Sequence, residues 1–386
     1  MKKNSIIHGI LIFIFAISFT ALNSCTERHF DYGTLGIPAF TEDGKFVTVL
    51  VAQTQVTTKQ VNGGYRSSDY NSSYWLKVYE TATGKLVKKK KILSDAEKQN
   101  IQASCYGGYG KNIWLHTYGL VAYDLNTLEE VVTEEILAKQ NNMEADQFPI
   151  DERMYNELLS DGSIYFTGSN GNKYRIDLST LTISLEKALP RDIIAKINEQ
   201  QFSKLPNHIN YGERLVKAGS NMFILAKDSS SALNLNPNNT TNDPVYKSLS
   251  LFTASFTIRE IANHSFYDYT QLRKLPGDAF INGYFLKNET TNEVVQLKNP
   301  DGYVIIHRDS LQNEASTILT AVDINNHLRW KLNTGLSTKI AHCVVKDKYC
   351  ILMGNKHYLV GPPLGSDEVC VVNMQSGKMQ NLSIDE

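Results

Sequence analysis

The side chains of this chain best equipped for chemistry are its five cysteines, its nine histidines and a tyrosine-bearing polar stretch near residue 65. The histidines show no close metal-ligand spacing, and no His-Glu-x-x-His, Gly-x-Ser-x-Gly or Cys-x-x-Cys occurs, so zinc hydrolysis, a serine nucleophile elbow and a dithiol pair have no basis here. Cys105-Tyr-Gly-Gly-Tyr-Gly-Lys111 is rich in glycine but lacks the phosphate-loop spacing and the hydroxyl residue after its lysine. No catalytic residue is identified, and no cofactor or metal is expected. Residues 57–73 are rich in Ser, Asn and Gly and read as a long exposed loop, with Tyr65, Arg66, Asp69, Tyr70 and Tyr74 as the candidate ligand-facing side chains. A solvated loop without a ligand is the alternative reading. His116, beside Trp114, reads as a packed or hydrogen-bonded core residue.

Cys25 stands apart because of what precedes it. Lys2 and Lys3 form a basic start, Ile10–Leu22 is an apolar run too short for a stable membrane span, and Leu22-Asn23-Ser24-Cys25 follows at once. The expected organisation is a signal peptide over 1–24, a tether over 25–35 and one folded domain over 36–386. Beyond the signal no second apolar run is long enough to cross a membrane. Charge is nearly balanced, with 39 basic and 40 acidic side chains, which disfavours a nucleic-acid partner.

The body must be built mostly from strands. At seven places a strand-like run ends in an acidic or amide residue followed three positions later by a small hydroxyl or amide residue: Glu80, Asp124, Asp177, Asp228, Asn288, Asp323 and Asn373. Their mean spacing of about 50 residues is that of one β-propeller blade per repeat. Each anchor is a turn device, since an Asp or Asn oxygen can accept from the amides that a tight bend leaves unpaired. Gly84 and Gly377 follow two of these turns where a positive φ is needed. The expectation is an all-β, seven-bladed propeller, with eight blades as the alternative. A ring must close, and the strand at 46–52 is expected to share a sheet with the C-terminal residues. Thr133–Asn141 and Pro190–Phe202 carry helical spacing, with acidic residues or Pro in the first turn, and predict short helices in inter-blade connections. Lys88–Lys91 is expected on an outermost strand, where lysines block edge-to-edge pairing.

Residues 22–25 resemble a bacterial lipobox, which implies lipidation of Cys25 by a diacylglyceryl group and palmitate-type acyl chains. Glu27 stands where an Asp would favour inner-membrane retention, so the resemblance points to the outer membrane, on its periplasmic side or at the surface. The segments Val78–Val87, Ala122–Val131, Ala321–Trp330 and Val371–Met379 are similar to the repeats of quinoprotein-type propellers. In plan the chain is similar to the propeller lipoprotein of the outer-membrane β-barrel assembly machine and to a group of propeller lipoproteins carrying Tyr79–Gly84-, Gly119–Leu125- and Asp161–Tyr165-like motifs. These resemblances imply a non-enzymatic, membrane-tethered scaffold or binding protein with an envelope protein as partner. A periplasmic propeller enzyme, either a quinone-dependent dehydrogenase or a lactonase-like hydrolase, is the alternative.

With Cys25 acylated, four thiols remain at 105, 343, 350 and 370, in a compartment where disulfides persist. A two-residue turn at Lys346-Asp347 would set 343 opposite 350, within bridging reach. A turn shifted by one residue would oppose 345 and 350, and a 350–370 bridge or reduced core thiols are the other readings.

Overall fold

The protein is described by a computed structural model covering residues 26–61, 65–94, 103–144, 147–149, 155, 158–159, 161–188, 215–218, 221–226, 248–261, 264–291, 293–299, 301–312, 315–336, 340–355 and 365–386. It is a β-propeller whose sheets are made of consecutive antiparallel strands. The first contains β1 (Thr26–Thr34), β2 (Ala39–Phe40), β3 (Phe46–Val61), β4 (Tyr65–Glu80) and β5 (Leu86–Ser94). The second is β6 (Ser104–Tyr109), β7 (Asn112–His116), β8 (Leu120–Asp124) and β9 (Glu130–Thr133), followed by helix α1 (Glu134–Asn141). The third is β10 (Ser163–Thr167), β11 (Lys173–Asp177) and β12 (Thr182–Glu186).

The next stretch begins with β13 (Leu215–Ala218), β14 (Asn221–Ala226), β15 (Ser248–Ile261), β16 (His264–Lys274) and β17 (Phe280–Phe285). After a short ribbon of β18 (Lys287–Asn288) with β19 (Glu293–Val294) come β20 (Gln296–Leu297), β21 (Gly302–Arg308), β22 (Thr317–Asp323) and β23 (Leu328–Asn333). Pairing of β15 with both β14 and β17 joins this stretch, the ribbon apart, into one continuous sheet. The last sheet is β24 (His342–Lys346), β25 (Tyr349–Gly354), β26 (Glu368–Asn373) and β27 (Lys378–Asn381).

Alternation within each strand tells why the sheets stack. On β3, Val47, Val49 and Val51 pack toward the last sheet, whereas Leu50 and Ala52 pack toward the second. On β8, Val121 and Tyr123 face the first sheet, while Leu120 and Ala122 face the third. On β26, Val369 and Val371 meet the first sheet, and Cys370 and Val372 meet the sheet before. A strand buried on both faces is apolar at successive positions, which is why these runs read as continuous. The last sheet packs against the first, so the ring closes.

Closure takes another route than strand sharing. Residues 26–40, expected to be mostly tether, supply the inner strand of the first sheet, with β1 paired to β3 from Thr26↔Lys59 to Thr34↔Val51. β3 therefore has partners on both edges and does not join the C-terminal strands. The ends are tied instead by Thr34 N–H donating to the Ser366 carbonyl at 2.8 Å, with Ser366 N–H returning to Thr34 at 3.1 Å. Lys77 Nζ donates to the Ile384 carbonyl at 2.6 Å, and Tyr79 Oη donates to Ser383 at 3.0 Å.

The turn anchors act as expected at 124, 177, 323 and 373. Asp124 Oδ1 accepts from the amides of Asn126 and Thr127, both at 2.9 Å, and Asp323 Oδ1 from those of Asn325 and His327 at 2.8 and 2.9 Å. Asp177 and Asn373 accept in the same way, and Glu80 holds the Thr83 hydroxyl at 2.5 Å. Asn288 acts likewise, its Oδ1 accepting from the amide of Thr290 at 3.3 Å while Thr291 Oγ1 accepts from the amide of Glu293 at 3.4 Å. It lies in the short ribbon, and the same Oδ1 also takes the amide of Val345 at 3.2 Å, docking the ribbon on β24. Asp228 lies outside the described residues, as does the expected helix at 190–202. The helix expected over 133–141 is present, with Thr133 as its N-cap and Asn142 closing it at φ 52°.

The turns have a second role. The outer element of each of four sheets hands a donor to the turn of the next: Lys90 to Leu128 O at 2.8 Å, Gln140 of α1 to Thr180 O at 2.9 Å, Trp330 to Met374 O at 3.0 Å, and Gln380 to Ala82 O. Lys88 likewise reaches Thr127 O, so Lys88 and Lys90 both dock on this turn, while Lys89 donates to Glu386 O at 2.7 Å. The indole of Trp330 lies where a Cβ on Gly377 would approach to 2.8 Å, so the close packing as well as φ 68° requires glycine there.

These turns predict an acid response. Partial burial raises the Asp124 carboxyl, but the amides of Thr127 and Asn126, the Thr127 hydroxyl and the Lys111 charge outweigh it and leave the group below its ordinary value; Asp323 is lowered likewise, by its bonds from His327 and Asn325. A carboxylate depressed in the folded state contributes stability above its unfolded pKa of about 4 and loses it as pH falls through the folded value. Glu134 acts in the opposite sense, since burial raises it and protonation relieves the penalty. Asp124→Asn keeps the acceptor, as Asn373 does naturally, whereas Asp124→Ala should cost about 1–2 kcal/mol at pH 7. Urea unfolding at pH 7 and near pH 3 should show Asp124→Asn close to the parent at neutral pH and losing less stability on acidification. An unchanged acid slope would contradict this account.

Candidate functional site

One cleft of about 800 Å³ opens among the hairpin turns of the first sheet, the β20–β23 region and the last sheet. Every contributor is a turn or a strand end: Asp43–Phe46 and Glu80–Ala82 come from the first sheet, Val295–Lys298 and Arg329 from the middle, and Asp347–Tyr349 with Met374 and Gln375 from the last. Ring closure brings residue 43 beside residue 347. A Cβ on Gly44 would stand 3.1 Å from Asp347 Oδ2.

The lining mixes apolar side chains, such as Phe46, Val295 and Tyr349, with charges of both signs. Asp43 is bonded to Lys45 Nζ at 2.9 Å and accepts from Lys45 N at 3.1 Å and the Thr41 hydroxyl at 2.8 Å. These bonds, led by that from the Lys45 side chain, pull its carboxyl down to about 2. Asp43 is thus a permanent anion, a hydrogen-bond acceptor rather than a proton acceptor at neutral pH. Lys45 is raised by the same pair, and Lys348 Nζ lies 5.4 Å over the Tyr349 ring. Such a surface is suited to recognising a partner with mixed polar and apolar character. Among the described residues no group of three His, Cys, Asp or Glu side chains could hold a metal ion, and no helix is long and apolar enough to cross a membrane.

The stretch singled out in the sequence is elsewhere. Residues 57–73 are not a loop, because β3 and β4 pair over their full length, from Phe46↔Glu80 to Val61↔Tyr65. Polar cross-strand pairs replace the missing apolar alternation: Thr54 Oγ1 meets Ser72 Oγ at 2.8 Å, and Thr58 Oγ1 meets Ser68 Oγ at 3.1 Å. Tyr65 and Arg66 begin β4 at its far end from the cleft. Asp69 pairs with Lys59 at 3.2 Å, Tyr70 is exposed, and Tyr74 is buried with Leu50 and Leu76. The structure does not bring these five residues to the cleft. Cys25 lies outside the described residues.

Cys105, Cys343, Cys350 and Cys370 are buried free thiols. The turn is at Asp347-Lys348, with φ 52° at Asp347, so Val345 rather than Cys343 opposes Cys350. The sulfurs of 343 and 350 still approach diagonally to 3.5 Å. A second buried cluster joins the second and third sheets, where Glu134 accepts from Leu120 N at 2.8 Å and from the Tyr155 hydroxyl, and His116 packs 5.5 Å from the Tyr155 ring. His116 is a core residue, as its setting beside Trp114 implied.

No protein-family model and no curated protein matches the chain. Among solved structures it is similar to one chain of a Saccharomyces cerevisiae complex containing Dbp5, Nup159 and Gle1, at 10% identity and TM-score 0.27 over 93% of this chain and 95% of the other. Apo AztD from Citrobacter koseri matches at 10% identity and TM-score 0.28 over 80% and 91%. The β-propeller domain of Myceliophteria thermophila Cps50 (Swd1) matches at 12% and 0.21 over 93% and 98%. At these scores the likenesses add nothing to what strand order and packing already show.

Proposed function

We propose that this chain is a non-enzymatic β-propeller, tethered to the bacterial envelope through a lipidated Cys25, that binds an envelope protein at its turn-built cleft. The observation supporting a binding role is the state of two of the cleft's three acidic groups. Asp43 is held ionised by Lys45, and Glu80 is bonded to Thr83 within its own turn, so both brace the surface. The address rests on the sequence of residues 1–25, whose basic start, apolar run and Leu-Asn-Ser-Cys ending suit lipid modification. Several acyl chains on one residue make a durable anchor where a single chain binds only marginally.

Two measurements test this reading. Cys25→Ala should move the protein from the membrane fraction to the soluble periplasm, or leave its signal uncleaved. Unchanged membrane association with normal processing would overturn the lipid anchor. Capture from envelope extracts with a photo-crosslinker at Gln375 should yield a partner protein absent when the crosslinker sits at Ser184, on the third sheet, and equal yields at both positions would overturn the cleft as the binding surface.

A further inference from the structure

We propose that the ribbon formed by β1, β3 and β4 stands on the membrane by its tip and holds the cleft on the opposite side, facing away from the bilayer. The inference rests on Cys25 being the anchor and adds an orientation that anchoring alone does not supply. It follows from register. β1 is antiparallel to β3, with Thr26 opposite Lys59, two residues before β3 ends at Val61. Cys25 is bonded to Thr26, so its Cα is one step of about 3.8 Å from the residue that pairs near the ribbon's tip. On that reading residues 1–24 are removed, and the lipidated residue is bonded directly to the first residue of a paired strand with no spacer between them.

The opposite end of the same strands is the cleft. β3 begins at Phe46 and β4 ends at Glu80, both lining it, whereas β3 ends and β4 begins at the tip. Sixteen residues of β3 span roughly 50 Å at about 3.3 Å per residue. Slack is further reduced because β1 is paired along its whole length and Tyr32 takes a hydrogen bond from Gln53 at 3.2 Å. The membrane therefore holds a stiff stalk by its end. Charges on the stalk are mixed, as in the Lys59–Asp69 pair, so the acyl chains rather than anionic headgroups make the attachment.

The test uses the full-length chain, expressed with its own signal and purified from membranes in detergent. One fluorophore is attached at Ser67→Cys, paired with Lys59 near the tip, and in a separate protein at Gln375→Cys in the cleft; both positions are exposed and the four thiols at 105, 343, 350 and 370 are buried. Each protein is reconstituted into phosphatidylethanolamine–phosphatidylglycerol vesicles carrying a nitroxide-headgroup lipid, and flotation is measured before quenching. The expected result is co-flotation of both, strong quenching at 67 and none at 375. Flotation with quenching at 375 equal to or above that at 67 overturns the orientation while leaving the anchor intact. Failure to float overturns the anchor and the orientation with it.

Discussion

Trp114→Ala should lower the stability of the protein by about 3–5 kcal/mol, among the largest losses any single truncation here can produce. Trp114 is fully buried on β7, at the centre of the cluster that joins the second sheet to the third through Ile164, Phe166 and Tyr174. Truncation removes the packing and leaves a cavity that the neighbouring sheets can fill only by moving together, which their turn contacts resist. The indole N–H is buried without a hydrogen-bond partner among the described residues. Trp114→Phe therefore loses volume but also sheds an unsatisfied donor, and should cost less than half as much. Thermal and urea unfolding of both variants distinguishes the cases. Equal losses for Phe and Ala would mean that the indole N–H is satisfied and that losing its hydrogen bond offsets the volume Phe retains.

Gly36→Ala should be at least as damaging, at about 4 kcal/mol or more, through a different mechanism. Gly36 has φ 67°, and a Cβ there would stand 2.1 Å from the carbonyl oxygen of Cys105, an overlap with backbone that no rotamer can relieve. The segment beside it is clasped to β6 from both directions: Ile37 N–H donates to Cys105 O at 3.1 Å, and the Cys105 thiol donates to Ile37 O at 2.9 Å. Burial pushes that thiol up to about 12, so it stays protonated and keeps donating at physiological pH. Gly110 supplies the control. Its φ is 56° with nothing within 4 Å, so Gly110→Ala pays only the left-handed backbone cost of about 1–2 kcal/mol. Melting temperatures should rank Gly36→Ala well below Gly110→Ala, and similar values for the two would show that the first and second sheets can separate at little cost.

Much of the fold was legible because it is local. Asp124, Asp177, Asp323 and Asn373 could be read as turn residues from sequence, since each oxygen reaches amides only two to four positions on. The helix at 134–141 was equally readable from its N-cap threonine and acidic first turn. Asn288 holds its own turn in the same way, but its second partner, the amide of Val345, lies far along the chain and nothing local announces it. The β3–β4 ribbon misled for that same reason. Thr54, Ser72, Thr58 and Ser68 look like solvated loop residues until they are placed opposite one another, when their hydroxyls pair across the strands. The tether reading of 26–34 failed likewise, since β1 carries only Phe30 and Tyr32 as large apolar residues and is ordered by the backbone of β3.

By itself the sequence determined the all-β architecture, the turn chemistry and the candidate lipid attachment, because each depends on residues close together along the chain. Tertiary structure alone decided where the ring closes, that β3 and β4 form a stalk, and that a cleft exists at all. The cleft needs residues 43–46, 80–82, 295–298 and 347–349 side by side, and only the packing of the last sheet on the first makes them neighbours. Turn residues such as Gly44, Asp43 and Asp347 are selected for backbone bends, so their types carry no mark of the surface they jointly form. The relation between Thr26 and that surface is likewise a matter of strand direction: an antiparallel pairing sends the start of β1 to one end of the stalk and the cleft to the other.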